Sequence, residues 1–456
     1  MRPTLDAAVA LATARLEEDG LRPVVAAHDI WLAAGLQRAL PGTALACISA
    51  SDAVDVLRGR GTEVFCLSEH SGPEATAGMS SLDLLRHPAT GEFFRSLGPT
   101  AVLSFKPSER IAEAVTALGG RLLAAPSSAA RAYENKLAFV AAAERAGVPR
   151  PRWDARRLPL VYADLVEDFG APVVVQGPRG NAGQRTWLVD NQAQLDVVNA
   201  RERSGSMRVA EWIDGLPFTA SGVAFRGDGA GIEGGHPPAV NEPCRQVTGV
   251  DWLTPEQLGS CGNAWGEGRL VAHRAEIERC VRALGADLAA NNYRGLFGVD
   301  FVLAADGPLV IEVNPRMVAS LPEATELDVE AGRAPLVLLH LLEMLDADLG
   351  ALSAEDATAP VGVASQVIVH QFPHDPPRRP RGGVYSVSDD GPPAYLRPGA
   401  GLEDVRDGNE LLLLVRRTAE PVTPGKECAR IYARSDQGEN TTGVRQLVHA
   451  LRTGGL

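Results

Sequence analysis

The sequence predicts a mixed α/β (α+β) protein with three domains, and three observations carry this prediction. The 456 residues match the length of about three domains. Over residues 21–126, apolar runs alternate with helix-like stretches, which is the pattern of a parallel sheet with crossover helices. Strand patterns and hairpin turns dominate the rest of the chain. We therefore expect an N-terminal parallel α/β domain at 1–126, a central domain at 127–350 and a small β-rich domain at 360–456.

The first domain is expected to contain five parallel strands. No G-x-G-x-x-G pattern follows the first strand, so the dinucleotide-binding fingerprint is missing. The strands are predicted at 23–27, 44–48, 63–67, 101–105 and 121–125, and the helices at 31–40, 52–60 and 109–118.

The central domain is expected to begin with one helix over 127–146 that carries Lys136. Gly147 ends this helix, with Pro149 just beyond it. A glycine-rich turn at 177–183 then joins two strands. Its backbone N–H groups could approach an anion closely, although taken alone it is more simply a flexible hairpin. The other predicted elements are strands at 172–176, 185–189, 208–213 and 218–225 and helices at 274–291 and 327–345.

The stretch VDFVLAADGPLVIEVNPR (299–316) predicts a hairpin with facing acids. Folding about Asp306 places Asp300 opposite Glu312, and alternation puts Asn314 on the Glu312 face. Two facing carboxylates repel each other unless a proton or a cation lies between them. The pair therefore indicates either a divalent-cation site or a carboxylate acid/base site. The other face is expected to carry Phe301, Leu303, Leu309, Ile311 and Val313.

The last domain is predicted to follow a linker at 351–360. A proline- and arginine-rich stretch at 373–381 is most simply a solvated loop. The predicted strands are 361–371, 384–387, 410–416 and 428–433, and a helix closes the chain at 444–451.

Composition and charge exclude several classes of function. Hydrophobic residues make up 45% and charged residues 22% of the chain, as in ordinary globular proteins. The net charge of -13 argues against nucleic-acid partners and anionic membranes, and no uncharged apolar run reaches about 18 residues. The six cysteines are scattered and favour free thiols, while the N-terminal segment favours a short helix over a signal peptide. We therefore expect a cytoplasmic protein with no nucleic-acid or membrane partner.

Several common motifs are absent or out of context. None of the three lysines, Lys106, Lys136 and Lys426, is followed by Ser or Thr, which excludes a Walker-type phosphate loop. The G-x-G-x-x-G match at 229–234 precedes two prolines that cannot open a helix. Single histidines such as His28 and His340 are expected to be satisfied core or loop residues.

The order of the remaining motifs resembles the ATP-grasp superfamily. A lysine-bearing helix, the glycine turn, an E-W-I-D-G strand end and the G-V-D-F…E-V-N-P-R hairpin follow one another between Ser127 and about Leu345. The resemblance implies an ATP-grasp fold, in which a two-subdomain core grips ATP between antiparallel sheets. The lid subdomain would span about 150–215.

The resemblance also implies roles for individual residues. Asp300, Glu312 and Asn314 would bind Mg²⁺ that bridges the ATP phosphates. Lys136 would reach the inner phosphates, and Arg316 would be catalytic by steadying the γ-phosphate and an acyl phosphate. The remaining nucleotide-binding residues would be Gln176, Arg179, Gly180, Asn181 and Gly183 at the flap and Glu211, Trp212 and Ile213 beside adenine.

Two positions depart from the family pattern. Gln176 stands where the family commonly has a second phosphate-binding lysine, and Arg179 is the residue expected to compensate. Leu216 and Pro217 stand where an acid often holds the ribose hydroxyls. ATP binding is therefore expected to be looser or differently arranged.

The reaction implied by the resemblance is ADP-forming ligation of a small carboxylic acid to the amine of an amino acid or peptide. A finer resemblance is to amino-acid and peptide ligases of natural-product pathways, including the pheganomycin type, and a homodimer is expected. Alternatives are a carboxylase, a thiol ligase or a non-catalytic nucleotide-binding regulator. The acceptor side is expected to involve Arg245, Arg294, Ser320 and Glu323, for which a structural role is an equally good interpretation.

Overall fold

The computed structural model describes residues 3–180, 183, 185–227, 238–352, 362–373, 380–388, 391–417, 424–436 and 438–456. This part of the chain contains three sheets. The first has five parallel strands, the second has four antiparallel strands, and the third has eleven strands. This confirms the mixed α/β class. None of the helices in the described ranges combines the length and the apolar character needed to cross a bilayer.

The five-stranded parallel sheet forms the N-terminal part, with strand order β3-β2-β1-β4-β5. Its strands are β1 (Arg22–Ala26), β2 (Ala44–Cys47), β3 (Val64–Cys66), β4 (Thr100–Ser104) and β5 (Gly120–Leu122). The helices around it are α1 (Leu5–Asp19), α2 (Ile30–Ala33), α3 (Leu36–Ala39), α4 (Asp52–Gly59), α5 (Leu67–Ser71), α6 (Pro73–Thr76), α7 (Ser81–Arg86), α8 (Pro88–Leu97) and α9 (Glu109–Ala117).

One helix predicted in this region is interrupted. The stretch 31–40 forms α2 and α3, separated at Gly35, whose φ of 120° is a left-handed value that favours glycine. A Cβ at Gly35 would lie 3.4 Å from the Cα of Pro322. The interruption therefore lets this segment pack closely against the segment around Pro322, which is distant in sequence. The periodicity of the sequence does not reveal this contact.

The four-stranded sheet forms the predicted lid region. It has the order β6-β9-β7-β8, and Leu165, Val175 and Val209 are buried in its own core. The strands are β6 (Trp153–Arg157), β7 (Val173–Gln176), β8 (Thr186–Val189) and β9 (Ser206–Glu211). Before this sheet the chain forms α10 (Ser127–Glu134) and α11 (Lys136–Ala146), which pack in the core of the central hairpin, and the helices of the sheet itself are α12 (Tyr162–Phe169) and α13 (Gln192–Arg201).

The predicted single helix over 127–146 is wrong, because Asn135 divides it. Asn135 has extended backbone angles, and its side-chain oxygen accepts a hydrogen bond from the Leu137 N–H at 3.0 Å. This is an N-cap, which starts a new helix at Lys136. Gly147 ends α11 in the left-handed conformation, as predicted.

The eleven-stranded sheet runs from the central region into the C-terminal region. Its path is β15-β14-β10-β12-β13-β16-β20-β19-β17-β18, with β11 beside β10. The strands are β10 (Leu216–Ala224), β11 (Ala239–Val240), β12 (Cys244–Thr248), β13 (Ser260–Trp265), β14 (Gly295–Ala304), β15 (Gly307–Asn314), β16 (Ala364–His370), β17 (Gly383–Ser388), β18 (Gly391–Arg397), β19 (Glu410–Val415) and β20 (Glu427–Ala433). Pairing of β13 with β16 makes one sheet across the two regions.

The helices of this region are α14 (Gly268–Ala272), α15 (Arg274–Ala290), α16 (Leu321–Glu330), α17 (Leu336–Met344) and α18 (Thr442–Thr453). The predicted helix over 327–345 is therefore two helices, since Gly332 has a φ of 67° and Pro335 precedes α17 as its N-cap. Strand β18 was not predicted. Three predicted features lie wholly or mostly outside the described residues. They are the whole motif at 229–234, most of the linker at 351–360 and most of the loop at 373–381.

The central hairpin of β14 and β15 pairs Asp300 with Glu312, as predicted. A β-bulge shifts the register beside this pair, so Phe301 pairs with Val310 and Ile311 is the extra residue. The predicted inward orientation of Leu309 and Ile311 is therefore wrong, because Val310 takes the core position. Phe301, Leu303 and Val313 do lie in the core.

Candidate functional site

A polar cleft opens beside the central hairpin, with a volume of about 520 Å³ when its open mouth is included. Four parts of the chain form its walls: the loop after β4, the α10–α11 junction, the turn after β7, and strand β15. Its lining includes three cationic and two acidic side chains, which makes it suited to a charged ligand. The polar lining residues are Lys106, Tyr133, Glu134, Lys136, Arg179, Glu312 and Asn314.

Asp300 is held on the strand opposite Glu312 by two side-chain amides. Its Oδ1 accepts a hydrogen bond from Gln246 Nε2 at 2.9 Å, and its Oδ2 accepts one from Asn314 Nδ2 at 3.0 Å. Burial raises the pKa of the Asp300 carboxyl despite hydrogen bonding from Thr219 and the nearby charge of Lys136. A buried carboxylate of this kind is stabilised by an added cation. Gln246 was not predicted from the sequence.

Lys136 lies at the first position of α11, where the Asn135 cap places it. Its ammonium contacts the Glu312 carboxylate, and its backbone N–H donates to Pro178 O at 3.0 Å, which ties the helix to the flap. Burial lowers the pKa of Lys136 to about 7. The positive charges of Arg208 and Arg316 also lower this pKa, whereas the negative charge of Asp300 raises it. Lys136 is therefore a poorly solvated amine whose charged form an incoming polyanion would favour.

Arg316 begins the segment that follows the hairpin. Its Nη2 donates to Asn314 Oδ1 at 3.2 Å and its Nη1 to Met317 O at 3.1 Å. Its Nε is buried, has no hydrogen bond to any residue in the described ranges, and lies 3.9 Å from the Glu134 carboxylate. Burial lowers the pKa of Arg316. The guanidinium thus retains hydrogen-bonding capacity toward a ligand, and Glu134 is a neighbour that sequence analysis did not assign.

The three residues predicted to bind magnesium meet the chemical requirements for it. Asp300, Glu312 and Asn314 carry hard oxygen donors, and Mg²⁺ commonly uses one or two carboxylates together with waters and substrate phosphates. The Lys136 ammonium at Glu312 shows that this carboxylate already accommodates a cation. The donor set therefore fits Mg²⁺, with phosphate oxygens and waters left to complete the shell.

Gln176 is engaged by a buried arginine that sequence analysis missed. Arg208 donates from Nε to Gln176 Oε1 at 2.8 Å, also contacts that oxygen through Nη2, and stacks on Trp153 with 4.7 Å to the ring centroid. Its Nη1 donates at 2.7 Å to the carbonyl of Ile311, the bulge residue of the hairpin. Burial lowers the pKa of Arg208 to about 9. Arg208 therefore connects the lid sheet to the hairpin. In the sequence, this connection is indicated only by the presence of an arginine within an apolar strand.

The flap residues divide into two groups. Arg179 and Gly180 line the cleft, and Arg179 is exposed there. Gly183 has a φ of 82°, and a Cβ on it would lie 2.7 Å from Leu258 O, so it packs against a neighbouring loop. The prediction for Asn181 falls outside the described residues.

The predicted adenine-side segment lies at the end of β9. The Glu211 carboxylate accepts hydrogen bonds from the backbone N–H and Nε of Arg152, both at 2.7 Å, so its side chain is committed to structure. Trp212 remains 40% exposed and Ile213 half-buried. Only their backbone groups and the Trp212 ring are available for a ligand.

The four predicted acceptor residues do not form one group in the cleft: Ser320 and Glu323 lie near Cys244, the neighbour of Arg245, whereas Arg294 lies elsewhere. Glu323 is buried against Arg430, and burial raises its pKa, while Ser320 hydrogen-bonds to the Cys244 thiol. Arg245 donates to Glu439 Oε1 at 2.5 Å, and Arg294 to Asp346 Oδ1 at 2.6 Å. All four have structural partners, and none of them lines the cleft.

The central part of the chain is similar to known proteins. Residues 133–320 match the family model of the ATP-grasp domain. The carbamoyl phosphate synthase large chain of a Thermus thermophilus strain is 23% identical over 297 residues, which cover 61% of this chain. The match spans only 26% of that relative's length.

Solved structures with similar folds include both ligases and carboxylases. The L-amino acid ligase of Bacillus licheniformis has a TM-score of 0.54 at 15% identity, with 94% of this chain and 97% of that chain covered. The N5-carboxyaminoimidazole ribonucleotide synthetase of Thermus thermophilus has a TM-score of 0.53 at 17% identity, with coverage of 94% and 97%. A third similar structure is the biotin carboxylase domain of Hydrogenobacter thermophilus 2-oxoglutarate carboxylase, which was crystallised with MgADP, ADP and bicarbonate. Its TM-score is 0.54 at 12% identity, and the comparison covers 96% of this chain and 86% of that chain.

Proposed function

Since residues 133–320 match the family model of the ATP-grasp domain, we propose that this chain is an ATP-dependent carboxylate–amine ligase. It activates a carboxylic acid as an acyl phosphate and joins it to the amine of an amino acid or peptide, with release of ADP and phosphate. The observation that supports this most is the pairing of Asp300 with Glu312 across the hairpin, beside Lys136 and Arg316. Lys136 and Glu312 line the cleft, and Asp300 and Arg316 lie directly beside it, since each hydrogen-bonds to the lining residue Asn314.

ATP would bind with its phosphates between the flap and the hairpin. Lys136 would leave Glu312 for the phosphate oxygens, and Arg179 and the Gly180 backbone would close from the flap side. Magnesium held by Asp300, Glu312 and Asn314 would neutralise negative charge on the transferred phosphoryl group. The protein's part is chiefly positioning and charge neutralisation.

The first step forms a bond between a carboxylate oxygen of the acid and the γ-phosphorus. The bond from that phosphorus to the β–γ bridging oxygen breaks, and ADP leaves with the electron pair. Arg316 would hold the transferred phosphoryl group, because its buried Nε has no hydrogen-bond partner in the described residues and its Nη atoms make only long bonds of 3.1 and 3.2 Å.

In the second step the amine nitrogen attacks the acyl carbon. The bond between that carbon and the phosphate oxygen breaks, phosphate leaves, and the nitrogen loses a proton to give the amide. Glu134 is the carboxylate nearest to Arg316 that also lines the cleft, so it is placed to hold the ammonium group of an amine substrate or to take its proton.

The second candidate function is a carboxylase that uses bicarbonate as the acid. Its support is the fold comparison, in which a biotin carboxylase domain and an L-amino acid ligase reach the same TM-score of 0.54. A non-catalytic regulatory role has less support, since the cleft keeps its acids and cations, and a thiol ligase is separated from the amine ligase by the product. Peptide-bond formation, a place in natural-product synthesis, a cytoplasmic site and a homodimer remain expectations of the same proposal.

The proposal is tested by measuring ADP release by the full chain with ATP and Mg²⁺ over a matrix of carboxylic acids and amines. Mass spectrometry of the products separates the candidates: an amide supports the ligase, whereas a carboxylated amine formed from bicarbonate supports the carboxylase. ATP binding without ADP release in any pair, bicarbonate and coenzyme A included, would favour the regulatory role and refute the ligase.

A further inference from the structure

Asp300 and Glu312, the two carboxylates of the proposed metal site, are held in different ways. Glu312 contacts the Lys136 ammonium, a positive charge that has to leave before a divalent cation binds there. Asp300 is held by two neutral donors: Gln246 Nε2 donates to its Oδ1 at 2.9 Å, and Asn314 Nδ2 donates to its Oδ2 at 3.0 Å. A carboxylate oxygen has more than one acceptor site, so both hydrogen bonds can persist while a cation binds. Asp300 is therefore already oriented for a cation, whereas Glu312 is not.

Gln246 reaches Asp300 from a different part of the sheet. Asn314 lies on the same hairpin as Asp300 and is itself one of the proposed metal ligands. Gln246 lies on β12, and β10 separates that strand from β14, which carries Asp300. Its half-buried side chain thus extends over β10 to the carboxylate. A neutral amide donor stabilises the ionised carboxylate without adding a positive charge that would repel a divalent cation.

Regular strand pairing fixes the position of Gln246. Gln246 pairs with Asn263 on β13, and Asn263 pairs with Gln366 on β16, so the three amides lie in one row across the sheet. Asn263 and Gln366 are buried, and Gln366 Nε2 donates to Asn263 Oδ1 at 3.0 Å and to Ala319 O at 3.2 Å. The row therefore extends from the Asp300 carboxylate to the segment that follows the hairpin. Groups carried by paired strands hold a ligand's geometry more precisely than groups on loops.

We propose that Gln246 is a positioning residue for the metal: its side-chain amide fixes the Asp300 carboxylate in the orientation that receives a divalent cation. This inference rests on the proposed function, because it takes Asp300 as a magnesium ligand. Gln246 acts through Asp300 and is not itself a ligand. Residues that hydrogen-bond to a metal ligand in this way commonly contribute about 10- to 100-fold to metal affinity or activity. The loss of the amide should therefore appear first as a loss of metal affinity.

The test compares Mn²⁺ binding by the wild type and by Gln246→Met. Methionine is similar in length to glutamine but has no N–H donor, so Asp300 loses one of its two amide bonds. Binding to the full chain is measured by electron paramagnetic resonance in the presence of the non-hydrolysable analogue AMP-PNP, with AMP-PNP alone as the blank. The apparent Kd for Mn²⁺ should rise about 10- to 100-fold. The Mg²⁺ concentration that gives half-maximal ADP release should rise by a similar factor.

Gln37→Met is the matched control. Gln37 is also half-buried, and its Oε1 accepts a hydrogen bond from the Gly35 N–H at 2.7 Å, but it lies on α3 and does not line the cleft. This variant also loses a side-chain amide bond, yet its Kd for Mn²⁺ should equal that of the wild type. If Gln246→Met fails to fold, Gln246→Asn keeps the amide on a side chain one methylene shorter, which withdraws the donor from Asp300. The same rise in Kd is expected for that variant.

The outcomes distinguish this inference from the proposed function. If the wild type forms ADP with an acid and an amine but Gln246→Met binds Mn²⁺ as tightly as the wild type, the inference is wrong and the ligase stands. An equal loss of Mn²⁺ affinity in Gln37→Met would show that the loss is not specific to Asp300, and would also refute the inference. If the wild type binds Mn²⁺ but forms no ADP with any acid, the ligase fails, and a weaker Kd in Gln246→Met alone still supports the positioning role. Absence of Mn²⁺ binding by the wild type would refute the inference.

Discussion

Arg208 donates two hydrogen bonds to the Gln176 side-chain oxygen and a third to the backbone carbonyl of Ile311. This arrangement gives Gln176 a structural role that a lysine could not fill. A lysine at 176 would place a second cation beside a buried guanidinium. The oxygen of Gln176 instead accepts from that guanidinium, while its amide donates to Thr186 Oγ1 at 3.2 Å.

Gln176→Lys is therefore expected to destabilise the chain without improving ATP binding. Loss of the acceptor and repulsion by Arg208 should lower the free energy of unfolding by about 2 to 4 kcal/mol, measured by urea denaturation. Gln192→Lys, at an exposed position of α13, is the matched control and should change stability by less than about 0.5 kcal/mol. A stable Gln176→Lys variant with tighter ATP binding would contradict the role assigned to Arg208.

Glu312→Gln is expected to abolish turnover and to preserve the fold. The substitution keeps size but removes the charge that the magnesium–phosphate complex requires, so kcat should fall at least about 10³-fold. Glu276→Gln serves as the control, because Glu276 is an exposed acid near the turn of the same hairpin. Wild-type ADP release by Glu312→Gln would refute the metal assignment, provided that its circular dichroism and unfolding midpoint are native.

Lys136→Met is expected to weaken ATP binding more than binding of the acid. Removal of a buried cation that can redirect to the phosphates should raise Kd for the non-hydrolysable analogue AMP-PNP by about 10- to 100-fold, measured by isothermal titration calorimetry. The same substitution also leaves Glu312 without its ion partner, so Mg²⁺ should partly restore the stability of the variant. Unchanged affinity for AMP-PNP would remove Lys136 from the nucleotide site.

His340 is expected to make stability depend on pH. It accepts at Nδ1 from the Leu296 N–H at 3.1 Å and donates from Nε2 to Leu123 O at 3.0 Å, a pattern that requires the neutral ring. Burial lowers its pKa from 6.5 to about 4. Between these two values the unfolded chain binds more protons, so stability that is fully present above pH 6.5 is lost as the pH falls, by up to about 3 kcal/mol.

The measurement is urea unfolding of the wild type and His340→Gln between pH 7 and pH 4.5. The variant should be less stable at pH 7 but should lose less stability on acidification, because it has no imidazole to protonate. Parallel pH profiles for the two proteins would show that His340 does not cause the dependence. The structure already confirms the sequence-based expectation that His340 is a satisfied core residue.

The sequence predicted the features that depend on local patterns. The facing positions of Asp300 and Glu312 follow from strand alternation and the turn signal at Asp306, and the pairing is found as predicted. The Gly147 helix end and the five parallel strands are equally local signals. These features require only the period of the apolar residues and the conformational preferences of glycine and proline.

The features that the sequence did not predict depend on contacts between distant segments. Arg208 reaches Ile311 only because a bulge leaves that carbonyl free, and neither the bulge nor the contact has a pattern in the sequence. Lys106 enters the cleft from the loop after β4, whereas Arg294 pairs with Asp346 and does not line the cleft. Such placements are set by tertiary packing, which a single sequence does not encode in any local window.

The most direct test of the account is transfer of oxygen from the acid to phosphate. The full chain is incubated with ATP, Mg²⁺, an active amine and an acid labelled with ¹⁸O in its carboxyl group, and the products are analysed by mass spectrometry. Activation as an acyl phosphate predicts ADP, an amide and inorganic phosphate that carries one ¹⁸O atom from the acid. Unlabelled phosphate, or label in AMP with release of pyrophosphate, would contradict the mechanism assigned to the Asp300–Glu312 hairpin.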